Sequence, residues 1–172
     1  MHQKMNLFLW IIGGLLILCV LIFLAGIMLP SERVVSRSSV FDAPADILYR
    51  IVTNNDDWQY RSGLKDLVII EREGDNEVWD EISENGATIR FRTKEKIPRE
   101  LYSFDMESAM FSGYWVATFQ DMGNNQTIFE ATEHIQVKNP FVKVLSYLFF
   151  DVGKLMDTYQ SDLRRKVESL KN

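Results

Sequence analysis

The sequence predicts an α+β protein. It should hold a curved antiparallel sheet of about seven strands and a long C-terminal helix, with one transmembrane helix ahead of both. Three observations carry this expectation. Residues Leu7 to Leu29 run without a charge (LFLWIIGGLLILCVLIFLAGIML). Between residues 34 and 137, short alternating apolar segments are separated by Gly, Asn and Asp turn signals. From Pro140 onward, apolar residues recur at spacings of three and four, the period of a helix with one buried face.

The uncharged run is 23 residues long. At about 1.5 Å per residue it spans roughly 35 Å, enough to cross a hydrocarbon core of about 30 Å. A cleaved secretory signal has a shorter apolar core and a small-residue cleavage site, and Leu24-Ala25-Gly26-Ile27-Met28 makes a poor one. Cys19, the sole cysteine, sits mid-run behind Leu16-Ile17-Leu18, which excludes a lipoprotein signal. The expected organisation is a tail at 1–6, a transmembrane helix at 7–29, a linker at 30–34 and one domain at 35–172. The lipid bilayer is thus the first expected partner, contacted through Leu7 to Leu29. Basic residues flank the run almost evenly, Lys4 on one side and Arg33 and Arg37 on the other, so the positive-inside rule does not orient it. A short tail before a long apolar run behaves as an uncleaved export signal, which favours a single-pass topology with the domain outside the cytoplasm without settling the side.

Beyond residue 30 there remain 142 residues with a net charge of −6. That length suits one domain with a real core. The acidic balance argues against nucleic acid or anionic headgroups as partners, because both demand a basic face. Basic residues are interleaved with acids, as in Glu71-Arg72-Glu73 and Lys94-Glu95-Lys96, rather than clustered.

The elements follow in order. Val34 to Phe41 reads as a strand. A helix then starts near Asp42-Ala43-Pro44, with Asp42 the candidate cap and Pro44 in the first turn, and runs through Ile47, Leu48, Ile51 and Val52. Asn54-Asn55-Asp56-Asp57 breaks it, and a short helix or turn follows around Trp58-Gln59-Tyr60. Strands are expected over Leu67–Glu73, Glu77–Ser83, Ala87–Lys96, Glu100–Glu107, Gly113–Gln120 and Gln126–Val137. Asn85-Gly86 signals a two-residue hairpin, and Gly123-Asn124-Asn125 closes the last one. Gly113 is expected where the backbone must bend or approach closely. A single long helix from about Pro140 to Leu170, capped by Asn139, ends the chain. Its first half carries more apolar surface than one stripe needs: Phe141, Val142, Val144, Tyr147, Phe149 and Phe150.

Two stretches resemble the START/SRPBCC superfamily. "VVSRSSVFDAPADILYRIVTNNDDWQYRSGLKDLVIIE" is similar to its opening strand, "APa" helix start, Asp/Asn-rich break and Trp. "SGYWVATFQDMGNNQTIFEATEHIQVKNPFVKVLSYLFF" looks like its "G-x-W-x-x-x-F…G-x-x-T" hairpin followed by "NP" and the long helix. The resemblance covers about residues 33–170. It implies a helix-grip fold, an incomplete barrel around the C-terminal helix with a cavity between them. It also implies function classes: binding of lipids, sterols, polyketides or other apolar molecules, or cyclase, dehydratase or hydrolase activity, or an accessory role. Fold alone does not choose among these.

On that fold the candidate ligand cavity would be lined by Trp58, Tyr60, Phe91, Tyr102, Phe104, Met106, Trp115, Phe119, Phe129, Glu133, Leu148, Val152, Met156 and Tyr159, with Ile89 among the inward-facing set. The same bulky side chains could instead fill it. Chemistry is thinly provided. His134 falls on the solvent face of its strand. Glu133, by strict alternation, turns inward among apolar residues, where a carboxyl is held neutral and can act as acid or base. One histidine and no thiol in the domain make a metal site improbable. There is no nucleophile elbow, phosphate-binding loop or dinucleotide fingerprint, so no catalytic residue and no cofactor is assigned. Arg50, Arg61, Arg90, Arg92, Arg164 and Arg165 read as ordinary solvated charges. The expectation is therefore a membrane-anchored binding module for an apolar small molecule or lipid. The alternatives are a ligand-free accessory subunit of a membrane complex and, behind it, a cyclase-type enzyme.

Overall fold

A computed structural model describes residues 2–171. Helix α1 (His2–Met28) leads into strand β1 (Glu32–Phe41), so only residues 29–31 separate them. Then follow α2 (Ala45–Thr53), a 3₁₀ turn (Asn55–Asp57), β2 (Leu64–Glu73), β3 (Asn76–Ser83), β4 (Thr88–Ile97), β5 (Leu101–Glu107), β6 (Ser112–Gly123), β7 (Gln126–Gln136), α3 (Pro140–Phe149) and α4 (Val152–Ser169). The strands form one antiparallel sheet in the order β1-β7-β6-β5-β4-β3-β2. Register shifts in the β2–β3, β4–β5 and β6–β7 pairs mark bulges, which bend a sheet and increase its twist.

Alternation decides which face is covered. On β6, Trp115, Ala117 and Phe119 are buried, and on β7, Thr127, Phe129, Ala131 and Ile135 are buried, so the odd-numbered residues of both strands share the inner face. There α2 lays down Leu48, Ile51 and Val52, and α4 lays down Met156, Leu163 and Val167. Ser39 Oγ donates to Gln160 Oε1 (2.5 Å), and the Gln160 amide donates to Arg37 O (3.2 Å), tying α4 to β1.

The structure departs from the sequence reading in three places. The expected continuous C-terminal helix is two helices. Phe150 adopts an extended conformation (φ −121°, ψ 103°) and Asp151 caps α4 by accepting from Lys154 N (3.0 Å). Arg33 receives the end of α3 by donating to the carbonyls of Ser146 and Phe150 (both 3.1 Å). The apolar spacing runs through the break, which is why periodicity alone hid it. Secondly, Asp42 does not cap α2. Pro44 holds that position without a side-chain bond, and Asp42 Oδ1 accepts from Gln126 Nε2 (2.8 Å). Thirdly, the Asn85-Gly86 hairpin has a longer loop than two residues. Ser83 N–H bonds Ala87 O (2.9 Å) and Gly86 takes a left-handed φ of 84°, the three-residue form with a glycine bulge. The turn expected around Trp58–Tyr60 is present, closed by Arg61 N–H to Trp58 O (2.9 Å), and a 3₁₀ turn at Asn55–Asp57 precedes it, with Asn54 accepting from Asp56 N (3.1 Å).

Asn139 caps α3 as expected, accepting from Phe141 N and Val142 N. Gly113 faces Ile135 across the β6–β7 pair, and a Cβ there would collide with the carbonyl oxygen of His134. His134 is half-buried, stacked on Tyr114 at 4.1 Å between ring centroids, with Nδ1 3.1 Å from Glu32 Oε1.

Candidate ligand cavity

Between the inner face of β3–β7, the segment before β2 and the first half of α4 lies a cavity of about 220 Å³. Its wall is mostly aromatic. Trp79 stacks on Phe91 (5.4 Å between centroids), Phe104 stacks on Trp115 (4.9 Å), and Tyr102 and Tyr159 meet Trp115 edge-on at 6.2 Å. These offset and edge-on pairs are arrangements that aromatic rings prefer, and they leave the space between sheet and α4 open.

A polar group interrupts this wall. Arg61 donates two bonds to Glu81, Nη1 to Oε1 (2.6 Å) and Nη2 to Oε2 (2.7 Å), and Trp79 Nε1 donates to the same Oε1 (3.1 Å). The Glu81 side chain is 8% exposed. The loop delivers Arg61 because both its ends are held. Arg61 N–H bonds Trp58 O (2.9 Å), and Ser62 donates from N (2.7 Å) and Oγ (2.9 Å) to the buried Asp162 of α4. Burial works against the Arg61 charge, and the Glu81 carboxylate more than offsets it, raising the guanidinium above its ordinary range. Forked arginine–carboxylate pairing of this kind is strong only when nearly every donor and acceptor is used.

Glu133 lies on the same wall, paired across the sheet with Trp115. Among the described residues it forms no ion pair. Burial, with the Glu81 charge adding to it, pushes its carboxyl up to about 7. Two carboxyls thus share one cavity, Glu81 paired with Arg61 and Glu133 unpaired and poised to hold a proton near neutrality. The Tyr102 hydroxyl, in a residue 1% exposed, has no hydrogen-bond partner among the described residues. Burial raises the Tyr102 pKa, and the Glu77 charge adds to the shift.

Of the residues expected at the site, Trp58, Tyr60, Phe91, Tyr102, Phe104, Met106, Trp115, Glu133, Met156 and Tyr159 line the cavity. Four expected residues lie elsewhere. Phe119 and Phe129 pack on each other (5.2 Å) and on Tyr49 and Phe41 beside α2, where no space is left. Val152 is buried with Ile135 and Val137 in a separate small cluster. Leu148 is 67% exposed on α3, because the helix break turns that segment away from the sheet. Arg61 was expected in solvent and instead reaches the cavity. Its loop has no periodicity to signal an inward side chain. Glu81 did carry a signal, since it stands two residues from Trp79 on one strand and must share its face.

No protein-family model matches the sequence, and no curated protein does either. Solved structures do match. An aromatase/cyclase, ZhuI, from Streptomyces sp. R1128 superposes with a TM-score of 0.71 at 10% identity, covering 82% of this chain and 96% of that one. A point mutant of norcoclaurine synthase from Thalictrum flavum, bound to a transition-state analogue, gives 0.64 at 15% identity over 82% and 97%. A START superfamily protein from Mycobacterium smegmatis gives 0.61 at 21% identity over 80% and 98%. Identities this low speak to the fold alone, and on that they agree with the sheet order and the terminal helix: the domain has the START/SRPBCC helix-grip fold, behind an N-terminal helix long and apolar enough to cross a membrane.

Proposed function

We propose that this chain is a membrane-anchored binding module for an apolar small molecule, held between the sheet and α4. The observation that carries the reading is the cavity itself, an aromatic-walled space of about 220 Å³. An accessory subunit with a vestigial pocket would have let those rings close up. The size narrows the occupant. A cavity of roughly 150 Å³ accepts benzene, and typical ligand pockets run from about 300 Å³ upward, so the space suits a molecule of one or two rings rather than a two-chain lipid. Tethering supports the reading, since it raises the effective concentration of the pocket near ligands dissolved in the bilayer. In this proposal α1 crosses the membrane once between Phe8 and Met28.

Native mass spectrometry of the full-length protein, released gently from its membrane, tests this. The expected result is a co-purifying apolar molecule, absent from Ile89→Phe, which fills the cavity. Protein that arrives without ligand but with other subunits would favour the accessory reading.

One observation favours a second reading. An unpaired carboxyl near pKa 7 facing an apolar ligand is equipped for proton transfer. Under that reading Glu133→Gln would retain the ligand and convert none of it.

A further inference from the structure

Helix α3 (PFVKVLSYLF) carries one charged residue, Lys143, and Lys143 is only 5% exposed. Its ammonium donates to Leu29 O (3.2 Å) and Ser31 Oγ (2.8 Å), at the point where α1 ends. Further contacts lock the two helices together. Phe23 and Phe141 rings lie 5.9 Å apart, Gly26 meets the Pro140 backbone so closely that a Cβ would collide, and Tyr147 Oη donates to Pro30 O (3.4 Å). Arg33 lies over the Tyr147 ring at 4.7 Å while bonding the last carbonyls of α3. Lys143 and Arg33, the basic side chains that touch both helices, are therefore used up inside the protein.

One face of α3 has no neighbour among the described residues. Leu148 is 67% exposed and Phe149 81%, with Leu145 beside them. From the contacts with α1, we infer that this face meets the bilayer, with α3 entering at the depth of Phe23 and ending near Pro30 and Arg33, at the boundary between acyl chains and headgroups. The inference rests on α1 spanning the membrane. Phe23 stands five residues before Met28, so Phe141, packed against it, sits about 7.5 Å below the end of the span at 1.5 Å per residue. Interfacial helices bury their apolar faces by about 5–10 Å. Because Lys143 is spent on internal bonds, the exposed face of α3 is apolar and carries no cation of its own.

One end of the cavity adjoins α3. Phe150, the residue after α3, lines the cavity and packs on Phe111 (6.3 Å between centroids). Leu155, half-exposed in α4, lines the same end, and Met110 projects beside Phe111 at 59% exposure. This rim adjoins α3, so in the same inference it meets the lipid surface, where an opening would let an apolar ligand pass from bilayer to cavity without crossing water.

Depth-dependent quenching tests both parts. Full-length protein carrying Cys19→Ala is labelled with a fluorophore at Leu148→Cys, Phe149→Cys, Met110→Cys or, as the water-facing control, Glu168→Cys. It is reconstituted in phosphatidylcholine vesicles holding lipids with a nitroxide high on the acyl chain. The expected result is quenching at 148 and 149 at least threefold above that at 168, unchanged by salt, with 110 also above the control. Quenching at 148 and 149 equal to the control, in protein that resists alkaline carbonate extraction, would overturn the inference while leaving the anchor in place, and would point to a protein partner on this face. Extraction by carbonate would remove the anchor and the inference together. Quenching at 148 and 149 but not at 110 would overturn the placement of the rim.

Discussion

The inner face of one sheet is built in two ways. Around α2 it is solid: Phe41, Leu48, Ala117, Phe119 and Phe129 are each at most 4% exposed and share no space with the cavity. Around the first half of α4 it is hollow, and there the interior holds Arg61, Glu81 and Glu133. The strands alternate in the same way in both halves. The difference lies in what covers them. Helix α2 offers small and branched apolar side chains that reach the sheet, whereas the cover of the hollow half is an aromatic and polar set propped apart by its own contacts. Apolar area stabilises the solid half, and the hollow half holds its shape by pairing.

That contrast can be broken most sharply at Arg61. Arg61→Met leaves Glu81 buried and uncompensated beside Glu133, and should destabilise the protein by about 3–5 kcal/mol in urea unfolding. Arg61→Met with Glu81→Met should recover most of that loss, because no lone charge then remains. If the single variant loses under about 1 kcal/mol, pairing does not hold the hollow half together.

Glu133 gives the next effect, through pH. Its carboxyl is protonated in both folded and unfolded chains below the ordinary value of 4.5, and its folded value is about 7. The stability carried by the neutral form is present at low pH and is lost as pH rises through 7. The shift corresponds to at most about 3 kcal/mol. Glu133→Gln should therefore gain on the wild type between pH 5 and pH 8.5 by up to that amount. Parallel stability curves for the two proteins would show a carboxyl that is not desolvated.

Gly113→Val should cost about 1–3 kcal/mol, since its side chain meets the His134 carbonyl in the β6–β7 pair. A neutral thermal melt would mean that the strands slide to make room. The smallest test compares added bulk in the two halves. Ala117→Val in the solid half should destabilise by about 1–2 kcal/mol, whereas Ile89→Phe in the hollow half should range from neutral to about 1 kcal/mol stabilising. Equal losses at both sites would erase the distinction.

Much of the fold was legible because it rests on period and punctuation. The strand faces of Trp115, Phe119, Phe129 and Ala131, the Asn139 cap and the close approach at Gly113 all follow from local rules, and the structure has each of them. The inward turn of Glu133 was legible for the same reason. The break at Phe150 was not, because a helix stripe keeps its spacing across an extended residue, and the partner that ends α3 is Arg33, more than a hundred residues away. Arg61 was hidden likewise: its placement depends on Asp162 holding Ser62 from another element. Phe119 and Phe129 show the opposite limit, since alternation gives the inner face but not whether that part of it is filled.

The three residues between α1 and β1 leave the domain almost no slack. With α3 clamped to the same helix end, a spanning α1 would let the domain spin about the membrane normal and drift sideways but not tilt or reach. Its search would be two-dimensional. In the proposed role, a ligand dissolved in the bilayer would be met by lateral diffusion at a fixed height, and a water-soluble partner would have to come to the surface to reach the domain.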